Sequence, residues 1–338
     1  MSRSTGEPET GRWLAWISPH DDPLLHAAIE EACLRKSRDR FLLLWINRRS
    51  LHAGKNQNLW AQVDAARTHG ENVPVFRRLS GGGTVYHDPG NLNFSLVGAG
   101  EPKIDFCAHL ATIRPFFEKH GIRTEIRNRS DLVHDGGKFS GNAEYFTGGR
   151  VLHHGTLLFD ADLAAMNHYL TGGTGSYRDR AIDSTRSRTS NLRDFLPAIE
   201  STRELASALL EDLRSRHPEI ESVAELPGEI REAVPGFRER LARPEWIYGR
   251  SPPYELERSS EGHHCRLRVK KGRIASLDFR PSRSGSEAAD DPLPARLPGL
   301  WHAPAEILRA LATVPDLPVD ASTRGDYWLD LLFGTGSR

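Results

Sequence analysis

Residues 77–95, RRLSGGGTVYHDPGNLNFS, combine an arginine pair, a glycine triplet and regularly spaced apolar residues. Consecutive glycines allow positive φ angles and let main-chain N–H groups approach a negatively charged ligand. Arg77 and Arg78 carry planar guanidinium donors that match carboxylate or phosphate oxygens. Apolar residues at even spacing after His87 indicate that strand follows strand. The segment therefore predicts an anion-binding loop between strands.

The glycine triplet matches neither common nucleotide-binding loop. A P-loop requires a Lys-Ser or Lys-Thr pair after its glycines, and none follows Gly83. A dinucleotide loop requires GxGxxG between a strand and a helix, with an acidic residue about 20 positions later. A second motif is therefore needed to interpret this loop.

The second motif is KFSGNAEYFTGGRVLHHGTLLF, at residues 138–159. Together, RRxSGGGTVYHDxGNxNxS, KxSGxA and HHGTLL, in this order and spacing, resemble the lipoate–protein ligase family. Further matching segments are DPLLHAAIEEACL (22–34), GKNQN (54–58), SDLV (130–133), SRTSNL (187–192) and PEWIYGRSPPY (244–254). The last of these and the β-rich tail after it resemble the accessory domain of full-length ligases, so the resemblance covers nearly the whole chain.

Size and charge describe an ordinary globular protein. The chain has 338 residues, which predicts two domains, and 45 Lys and Arg balance 45 Asp and Glu. This balance gives no field that would hold nucleic acid or an anionic membrane. No apolar run approaches a membrane span, the N-terminus lacks the apolar region of a secretory signal, and three cysteines argue against a disulfide framework. We expect a cytoplasmic protein with no nucleic-acid or membrane partner.

The predicted organisation is a disordered N-terminus over residues 1–11, a catalytic lipoate- and ATP-binding domain over 12–245, and an accessory C-terminal domain over 250–338. Strands and helices intermix without a βαβ rhythm, which favours an α+β fold. The resemblance implies a mixed or antiparallel sheet flanked by helices, similar to biotin and lipoyl protein ligases and to class II synthetase cores. It also implies a small α+β C-terminal domain.

The first predicted helix begins at Asp22 and Pro23, an N-cap carboxylate followed by proline at the first helical position. On this helix, Glu30 and Glu31 are interpreted as solvated surface. The spacing also predicts a helix over residues 105–120.

Proline residues affect the interpretation of two segments, the helix over 105–120 and residues 217–253. Pro115 is expected to kink or divide the helix over 105–120. Residues 217–253 are rich in proline and charge, and they are interpreted as the connection between the domains. Beyond them, a Lys271-Gly272 turn between alternating apolar residues predicts a β-hairpin.

The resemblance implies roles for particular residues of the two motifs. Lys138 would be the catalytic cation, contacting both the carboxylate of the bound acid and the α-phosphate. The ATP contacts would be Arg78, Gly83, Thr84, Val85, Tyr86 and Lys138. The lipoate contacts would be Ser80, Gly82, Lys138, His153, His154 and Gly155. Mg²⁺ would bind mainly to phosphate oxygens and to Asp131.

Two other groups of residues raise the question of a metal. His87 and Asp88 are adjacent on a strand, so their side chains point to opposite faces, and we interpret them as structural or metal-orienting. His153 and His154 cannot easily bind one ion for the same reason. In the sequence, no nearby cysteine or carboxylate completes a zinc set with the latter pair.

The chain departs from the family pattern after KxSGxA. The family places Gln-Arg or Tyr-Arg there, whereas this chain has Glu144 and Tyr145. The arginine-rich segment 174–191 corresponds to a loop that covers the adenylate. Arg186 and Arg188 in that segment are candidates to supply the missing positive charge.

The resemblance implies ATP-dependent activation of lipoate to lipoyl-AMP, followed by transfer of the lipoyl group to a lysine of an acceptor. The acceptors would be lipoyl domains of 2-oxoacid dehydrogenase complexes and the H protein of glycine cleavage. One alternative is an octanoyl or lipoyl transferase that acts between carrier proteins through a cysteine thioester. For that role, Cys33 and Cys107 are interpreted as core residues on apolar helical faces, and Cys265 lies far from the motifs in sequence. A degenerate, non-catalytic ligand-binding protein of the same fold is the second alternative.

Overall fold

The computed structural model describes residues 11–100, 104–170, 176–179, 187–260, 263–280, 292–314 and 321–333. The chain divides into two compact units. Unit 1 comprises Met1–Arg48, His87–Leu163 and Arg186–Leu241, and unit 2 comprises Arg49–Tyr86, Ala164–Thr185 and Ala242–Arg338. The predicted domains over 12–245 and 250–338 stay predictions. The predicted disorder concerns residues 1–11, of which 1–10 lie outside the described residues.

Within the described ranges, the strands in chain order are β1 (Trp13–Ile17), β2 (Arg40–Ile46), β3 (Ser50–Ala53), β4 (Val75–Arg77), β5 (Val85–His87), β6 (Asn91–Ala99), β7 (Glu125–Arg127), β8 (Asp131–His134), β9 (Gly137–Thr147), β10 (Arg150–Leu158), β11 (Ser176–Arg178), β12 (Ile220–Ser222), β13 (Tyr254–Ser260), β14 (His263–Lys270) and β15 (Arg273–Arg280). The α-helices are α1 (Pro23–Lys36), α2 (Ala65–Gly70), α3 (Phe106–Lys119), α4 (Leu163–Tyr169), α5 (Thr202–Arg216), α6 (Gly228–Ala242), α7 (Pro244–Ile247), α8 (Leu293–Arg296), α9 (Pro304–Ala312) and α10 (Ala321–Phe333). A short 3-10 helix spans Arg193–Phe195.

Unit 1 is built on a mixed sheet with the strand order β12-β1-β2-β6-β10-β9-β8-β7. Strand β1 pairs in parallel with both β2 and β12, and the other neighbours pair antiparallel. Helices α3 and α5 contribute apolar side chains such as Ile113, Phe117 and Leu209 to the buried core of this unit. The mixed sheet flanked by helices is the α+β architecture predicted from the sequence, and that prediction is confirmed.

Two helices of unit 1 begin at side chains that cap their first turn. The Asp22 side chain caps α1 by accepting hydrogen bonds from the backbone N–H groups of Leu24 and Leu25. At α5, Ser201 Oγ accepts a hydrogen bond from the N–H of Glu204 at 3.1 Å. The Glu204 side chain in turn accepts one from the N–H of Glu200 at 2.7 Å, which extends the capping box.

Two segments that contain proline are helical. Helix α3 is not divided at Pro115, because the missing N–H costs a single bond while buried residues such as Leu110 and Phe117 anchor both halves. The segment interpreted as a connection contains the 15-residue helix α6, with Pro235 inside it. Its apolar residues Ile230 and Val234 are buried, so packing outweighs the low helix propensity of proline.

Unit 2 contains two smaller sheets, with the orders β4-β3-β5 and β11-β13-β14-β15. The predicted hairpin is confirmed, since β14 pairs antiparallel with β15. Lys271 and Gly272 form its turn with φ angles of 50° and 71°, a left-handed conformation that glycine adopts readily. Among the described residues, no helix has the length and apolar character needed to cross a membrane.

Candidate active site

The predicted site residues divide between the two units. Unit 1 holds Lys138, Asp131, His153, His154 and Gly155, whereas unit 2 holds the predicted residues between Arg78 and Tyr86. Arg186 lies outside the described residues. Each group is therefore described within its own unit.

Lys138 is the second residue of β9 and follows a tight turn. Asp135 and Gly136 form that turn with φ angles of 46° and 75°. The Lys138 Nζ lies 2.7 Å from Asp131 Oδ1, and the lysine side chain is 25% exposed. A Cβ on Gly141 would lie 2.9 Å from this Nζ, so the glycine of the KxSG motif leaves space for the lysine. The turn, the glycine and the carboxylate together hold the ammonium group in place.

The end of the arginine-rich segment is joined to the backbone of Lys138. The Lys138 N–H donates to the carbonyl of Arg188 at 2.8 Å, and the Ser190 N–H donates to the carbonyl of Lys138 at 3.0 Å. A Cβ on Gly137 would lie 2.4 Å from Ser190 Oγ, so this close approach also requires a glycine. The Arg188 side chain is exposed. The role of this arginine in binding the adenylate stays a prediction.

In unit 2, Arg78 organises the glycine triplet. Its guanidinium donates to the carbonyls of Gly81 at 2.6 Å and Gly83 at 2.6 Å, and to the carbonyl of His52 at 2.7 Å. Its Nε also donates to Ser80 Oγ at 3.1 Å. Two carbonyl groups of the triplet thus face the arginine, and a phosphate contact by Arg78 remains a prediction.

Arg77 does not serve the anion-binding role expected of the arginine pair. Its side chain is 2% exposed and donates to the carbonyls of Ile247 at 2.7 Å, Gly54 at 2.7 Å and Gln57 at 2.9 Å, and to Ser251 Oγ at 2.9 Å. Burial, with the nearby charges of Arg78 and Arg250, lowers the pKa of Arg77 to about 10. This arginine is a structural tie within unit 2.

The residues after the triplet lead into the core of unit 2. Thr84 is buried, and its hydroxyl donates to Gln57 Oε1 at 2.7 Å. The Tyr86 ring is buried and stacks on Tyr169 with a centroid distance of 5.6 Å. Val85 between them is half-buried. Their predicted contacts with ATP remain predictions.

Gly54 permits a close backbone approach to this loop, because a Cβ there would lie 2.0 Å from the carbonyl oxygen of Gly82. We expect Gly54→Ala to lower the free energy of unfolding by about 1–3 kcal/mol, the usual cost of overpacking. Gly81→Ala is the matched control, since a Cβ at Gly81 meets nothing within 4 Å. Urea unfolding of both variants measures the difference. Equal stability of the two variants would contradict the close approach.

His154 is bound to a carboxylate that the sequence analysis placed at the surface. Its Nδ1 lies 2.8 Å from Glu30 Oε1, which also accepts a hydrogen bond from Ser95 Oγ at 2.6 Å. The Trp45 Nε1 donates to the same serine oxygen at 3.0 Å. Glu30 is 4% exposed, so its interpretation as solvated surface is wrong.

Glu31 is also buried, at 2% exposure, and it pairs with Arg35 at 2.8 Å and with Arg240. The physical reason is that α1 is buried around much of its circumference, so positions that look exposed in an isolated helix are covered. Each carboxylate is retained because it has charged or polar partners.

The buried Glu30 allows a stability test of unit 1. Glu30→Ala leaves the donors of His154 and Ser95 without their acceptor, and each unsatisfied buried group costs about 1–3 kcal/mol. We expect the free energy of unfolding to fall by roughly 2–4 kcal/mol. Glu118→Ala removes a 51% exposed carboxylate from its pair with Arg114 and is expected to change stability by less than about 1 kcal/mol. Chemical denaturation of both variants checks the prediction, and a Glu30→Ala protein as stable as the control would refute it.

His153 lies on the opposite face of β10 and has a second carboxylate beside it. Its Nδ1 lies 2.9 Å from Glu144 Oε1, its cross-strand neighbour on β9, and the Nδ1 of His109 on α3 lies 2.9 Å from the same oxygen. Each histidine of the pair thus has its own carboxylate on its own face of the strand, and the group around His153 includes His109 and not His154. The sequence could not show it, because His109 is contributed by a separate helix.

These contacts set the charge states. Burial lowers the pKa of His153 to about 4. Although burial alone would raise it, hydrogen bonds from His109 and His153 hold the pKa of Glu144 at about 2. Burial would lower the pKa of His109, but its bond to Glu144 raises it instead.

Gly155 follows the histidines and is closely surrounded. A Cβ at this position would lie 2.0 Å from Asn142 Oδ1 and 2.7 Å from the ring of Phe94. The glycine is thus required by packing within the sheet. Its predicted contact with lipoate stays a prediction.

His87 and Asp88 have polar contacts with other residues of unit 1. The Nδ1 of His87 lies 3.0 Å from Asn47 Nδ2. The Asp88 carboxylate accepts hydrogen bonds from the N–H groups of Gly90 at 2.9 Å and Asp162 at 2.8 Å. These contacts fit the structural role inferred from the sequence.

The cysteines differ in exposure. Cys33 and Cys265 are buried, and burial raises the pKa of both thiols, that of Cys265 to about 12. Cys107 is exposed, so its interpretation as a core residue is wrong. It lies near the start of α3, before Leu110, the first buried residue of that helix.

Comparisons with known proteins agree with this fold. The family described as the lipoyl protein ligase A/B catalytic domain matches residues 22–214. Lipoate-protein ligase LplJ of Bacillus subtilis (strain 168) is 34% identical over 265 residues, which cover 75% of this chain and 80% of that protein. The P. falciparum LipL1 structure in complex with lipoate has a TM-score of 0.59 at 22% identity, covering 95% of this chain and 99% of that chain. A structure of lipoate-protein ligase A bound with ATP has a TM-score of 0.57 at 24% identity, covering 70% of this chain and 98% of that chain.

The α+β fold and its motifs thus define a ligase, and the enzyme class predicted from the sequence is confirmed. The chain belongs to the lipoate–protein ligase family.

Proposed function

We propose that this protein activates lipoate with ATP to form lipoyl-AMP and then transfers the lipoyl group to a lysine of an acceptor protein. The observation that carries the proposal is the placement of Lys138. Its ammonium group is held by Asp131 at 2.7 Å, and its backbone is hydrogen-bonded to the segment 188–190. Adenylate formation requires a fixed cation at the α-phosphate, and Lys138 would provide it beside the end of the arginine-rich segment.

The chemistry explains that requirement. Joining a carboxylic acid to an amine is uphill until the acid is activated as a mixed anhydride with AMP, which releases pyrophosphate. The transition state concentrates negative charge at the α-phosphate, and a preorganised cation or N–H donor stabilises it. One such donor typically contributes about 10²–10³ in rate. Lys138 is assigned this role, and its ammonium would exchange Asp131 for the substrate oxygens.

The remaining assignments follow the family motifs. ATP would contact Arg78, Gly83, Thr84, Val85 and Tyr86. Lipoate would contact Ser80, Gly82, His153, His154 and Gly155.

Mg²⁺ would bind mainly to phosphate oxygens and to Asp131. Mg²⁺ prefers hard oxygen ligands such as a carboxylate. In the structure, Lys138 and Asn128 each contact one oxygen of the Asp131 carboxylate, which holds it in orientation. The ion would neutralise phosphate charge when bound.

The acceptors we propose are lipoyl domains of 2-oxoacid dehydrogenase complexes and the H protein of glycine cleavage, encountered in the cytoplasm. Such a domain presents its lysine at the tip of a hairpin, where the amine can attack the anhydride carbon. Intact-mass spectrometry of a lipoyl domain incubated with the full chain, lipoate and ATP tests this proposal. A lipoyl adduct that requires all three components is expected, and an unmodified domain in the presence of folded enzyme would overturn it.

One observation favours a second candidate function, the transfer of acyl groups through a thioester, because Cys107 is exposed. The ATP requirement separates the two functions. Modification of the lipoyl domain without ATP, from a lipoylated carrier, together with its loss in Cys107→Ala, would support the transferase. Unchanged ATP-dependent modification by Cys107→Ala supports the ligase.

A further inference from the structure

A three-residue cluster in unit 1 combines His153, which the proposed function places beside lipoate, with two residues that the proposed lipoate chemistry does not use. His109, Glu144 and His153 each direct one ligand atom to the same point, and these atoms all lie within 4.8 Å of one another. Glu144 Oε1 is 2.9 Å from the Nδ1 of each histidine. We propose that His109, Glu144 and His153 form a binding site for a zinc ion.

The donor set selects the class of metal. Two imidazoles and one carboxylate suit Zn²⁺, whereas Mg²⁺ and Ca²⁺ prefer oxygen ligands alone. Zinc bond lengths of about 2.0–2.2 Å in tetrahedral geometry place ligand atoms roughly 3.4 Å apart. The two contacts of 2.9 Å therefore need to open by about half an ångström, which small rotations of the side chains provide. Three protein ligands leave the fourth position for water or another small ligand.

The surroundings of the cluster support a metal site. His153 has no exposed surface, so its ligand atom is shielded from solvent. The second oxygen of Glu144 accepts a hydrogen bond from the N–H of Asp105 at 3.0 Å, which holds the carboxylate in orientation. The rings of Phe94 and Phe106 lie 5.7 Å and 6.0 Å from the His153 ring and form an apolar wall.

The cluster also offers a route of entry. The His109 side chain is 24% exposed, while Glu144 is 2% exposed and His153 is fully buried. His109 stacks on His153 with a centroid distance of 4.9 Å, so a rotation of the outer imidazole opens the site to solvent. A bound ion would tie the first turn of α3 to strands β9 and β10. It would therefore stabilise the folded state by an amount that grows with the logarithm of its concentration relative to its dissociation constant.

The test is zinc binding by the full chain, with any polyhistidine tag removed, in the absence of lipoate and ATP. A chromophoric chelator competing for Zn²⁺ gives affinity and stoichiometry, and Co²⁺ used as a substitute reports tetrahedral coordination by its visible absorption. We expect one tight Zn²⁺ per chain and a rise in the thermal midpoint when Zn²⁺ is added. His109→Ala and Glu144→Gln should each weaken binding by at least about tenfold, the loss that even outer-shell changes cause in metal sites.

His120→Ala is the matched control, because His120 is an exposed histidine at the C-terminal end of the same helix. It should bind zinc as the wild type does. His109→Ala removes a partly exposed helical side chain, so a folded variant is available even if Glu144→Gln is unstable. Absence of a tight zinc site in the wild-type chain, or equal affinity in His109→Ala and His120→Ala, would overturn the proposal. Because zinc binding is measured without lipoate and ATP, its failure is distinguishable from a failure of lipoyl transfer.

Discussion

Lys138→Ala should reduce the rate of lipoyl-AMP formation by about 10²–10³-fold, the typical effect of removing one preorganised donor from a developing oxyanion. The reason is that alanine leaves the α-phosphate without the ammonium group that Asp131 holds in place. Single-turnover measurement of adenylate, separated by chromatography after mixing enzyme with lipoate and ATP, gives this rate directly.

Two further variants distinguish lost chemistry from lost stability. Lys138→Ala alone leaves the nearly buried Asp131 carboxylate without its cation, so the double variant Lys138→Ala/Asp131→Asn removes that charge as well. It should be folded and equally slow. Lys119→Ala changes a 66% exposed lysine paired with Asp212, and it should retain the wild-type rate. A Lys138→Ala enzyme within about tenfold of the wild type would exclude the proposed role of this lysine.

Arg77→Met should lower the free energy of unfolding by about 3–5 kcal/mol, because each buried acceptor left without its donor costs about 1–3 kcal/mol. The guanidinium of Arg77 donates to three backbone carbonyls within 2.9 Å and to the hydroxyl of Ser251, and methionine satisfies none of these acceptors. The loss belongs to unit 2, so urea unfolding should be followed by a probe in that unit, such as the fluorescence of Trp246, whose Nε1 donates to the carbonyl of Arg77 at 2.7 Å.

Arg77→Lys separates geometry from charge. Lysine keeps the charge but lacks the planar donor fork, so this variant should also be destabilised. Arg309→Met is the control, because that arginine is 69% exposed and pairs with Glu306 on the same helix. It should alter stability by less than about 1 kcal/mol. Wild-type stability of Arg77→Met would show that Arg77 is not a structural tie.

The local elements of the fold could be predicted because their signals lie within a few residues. The carboxylate before Pro23, the Ser201 and Glu204 pair and the Lys271-Gly272 turn each satisfy backbone groups nearby in sequence. Predictions failed where packing decides. Pro115 suggested a kink or a break, but α3 is one element with buried residues on both sides of that proline.

The candidate site shows the same division. The KxSG motif indicated Lys138 as the cation, and the turn and the glycine that surround it lie within three residues of this lysine. The partners of the histidines could not be predicted in this way. Glu30 reaches His154 from a helix more than a hundred residues earlier, and His109 reaches Glu144 from α3. Such pairs arise from sheet register and helix packing, which a single sequence does not specify.

The two arginines before the glycine triplet show what a motif can and cannot predict. The sequence correctly identified a loop rich in glycine and arginine, but it assigned similar roles to Arg77 and Arg78. In the structure, Arg77 is buried and donates hydrogen bonds to carbonyls that are distant in sequence. Arg78 donates hydrogen bonds to carbonyls of the triplet itself. Burial gives these two adjacent arginines different roles, although the sequence alone treats them as equivalent.

Isotope exchange between pyrophosphate and ATP, with lipoate present and no acceptor protein, tests the central claim most directly. Reversible formation of lipoyl-AMP predicts exchange by the wild-type chain that depends on lipoate and is lost in Lys138→Ala. Folded wild-type protein that shows no lipoate-dependent exchange would contradict the claim that this chain activates its acid as an adenylate.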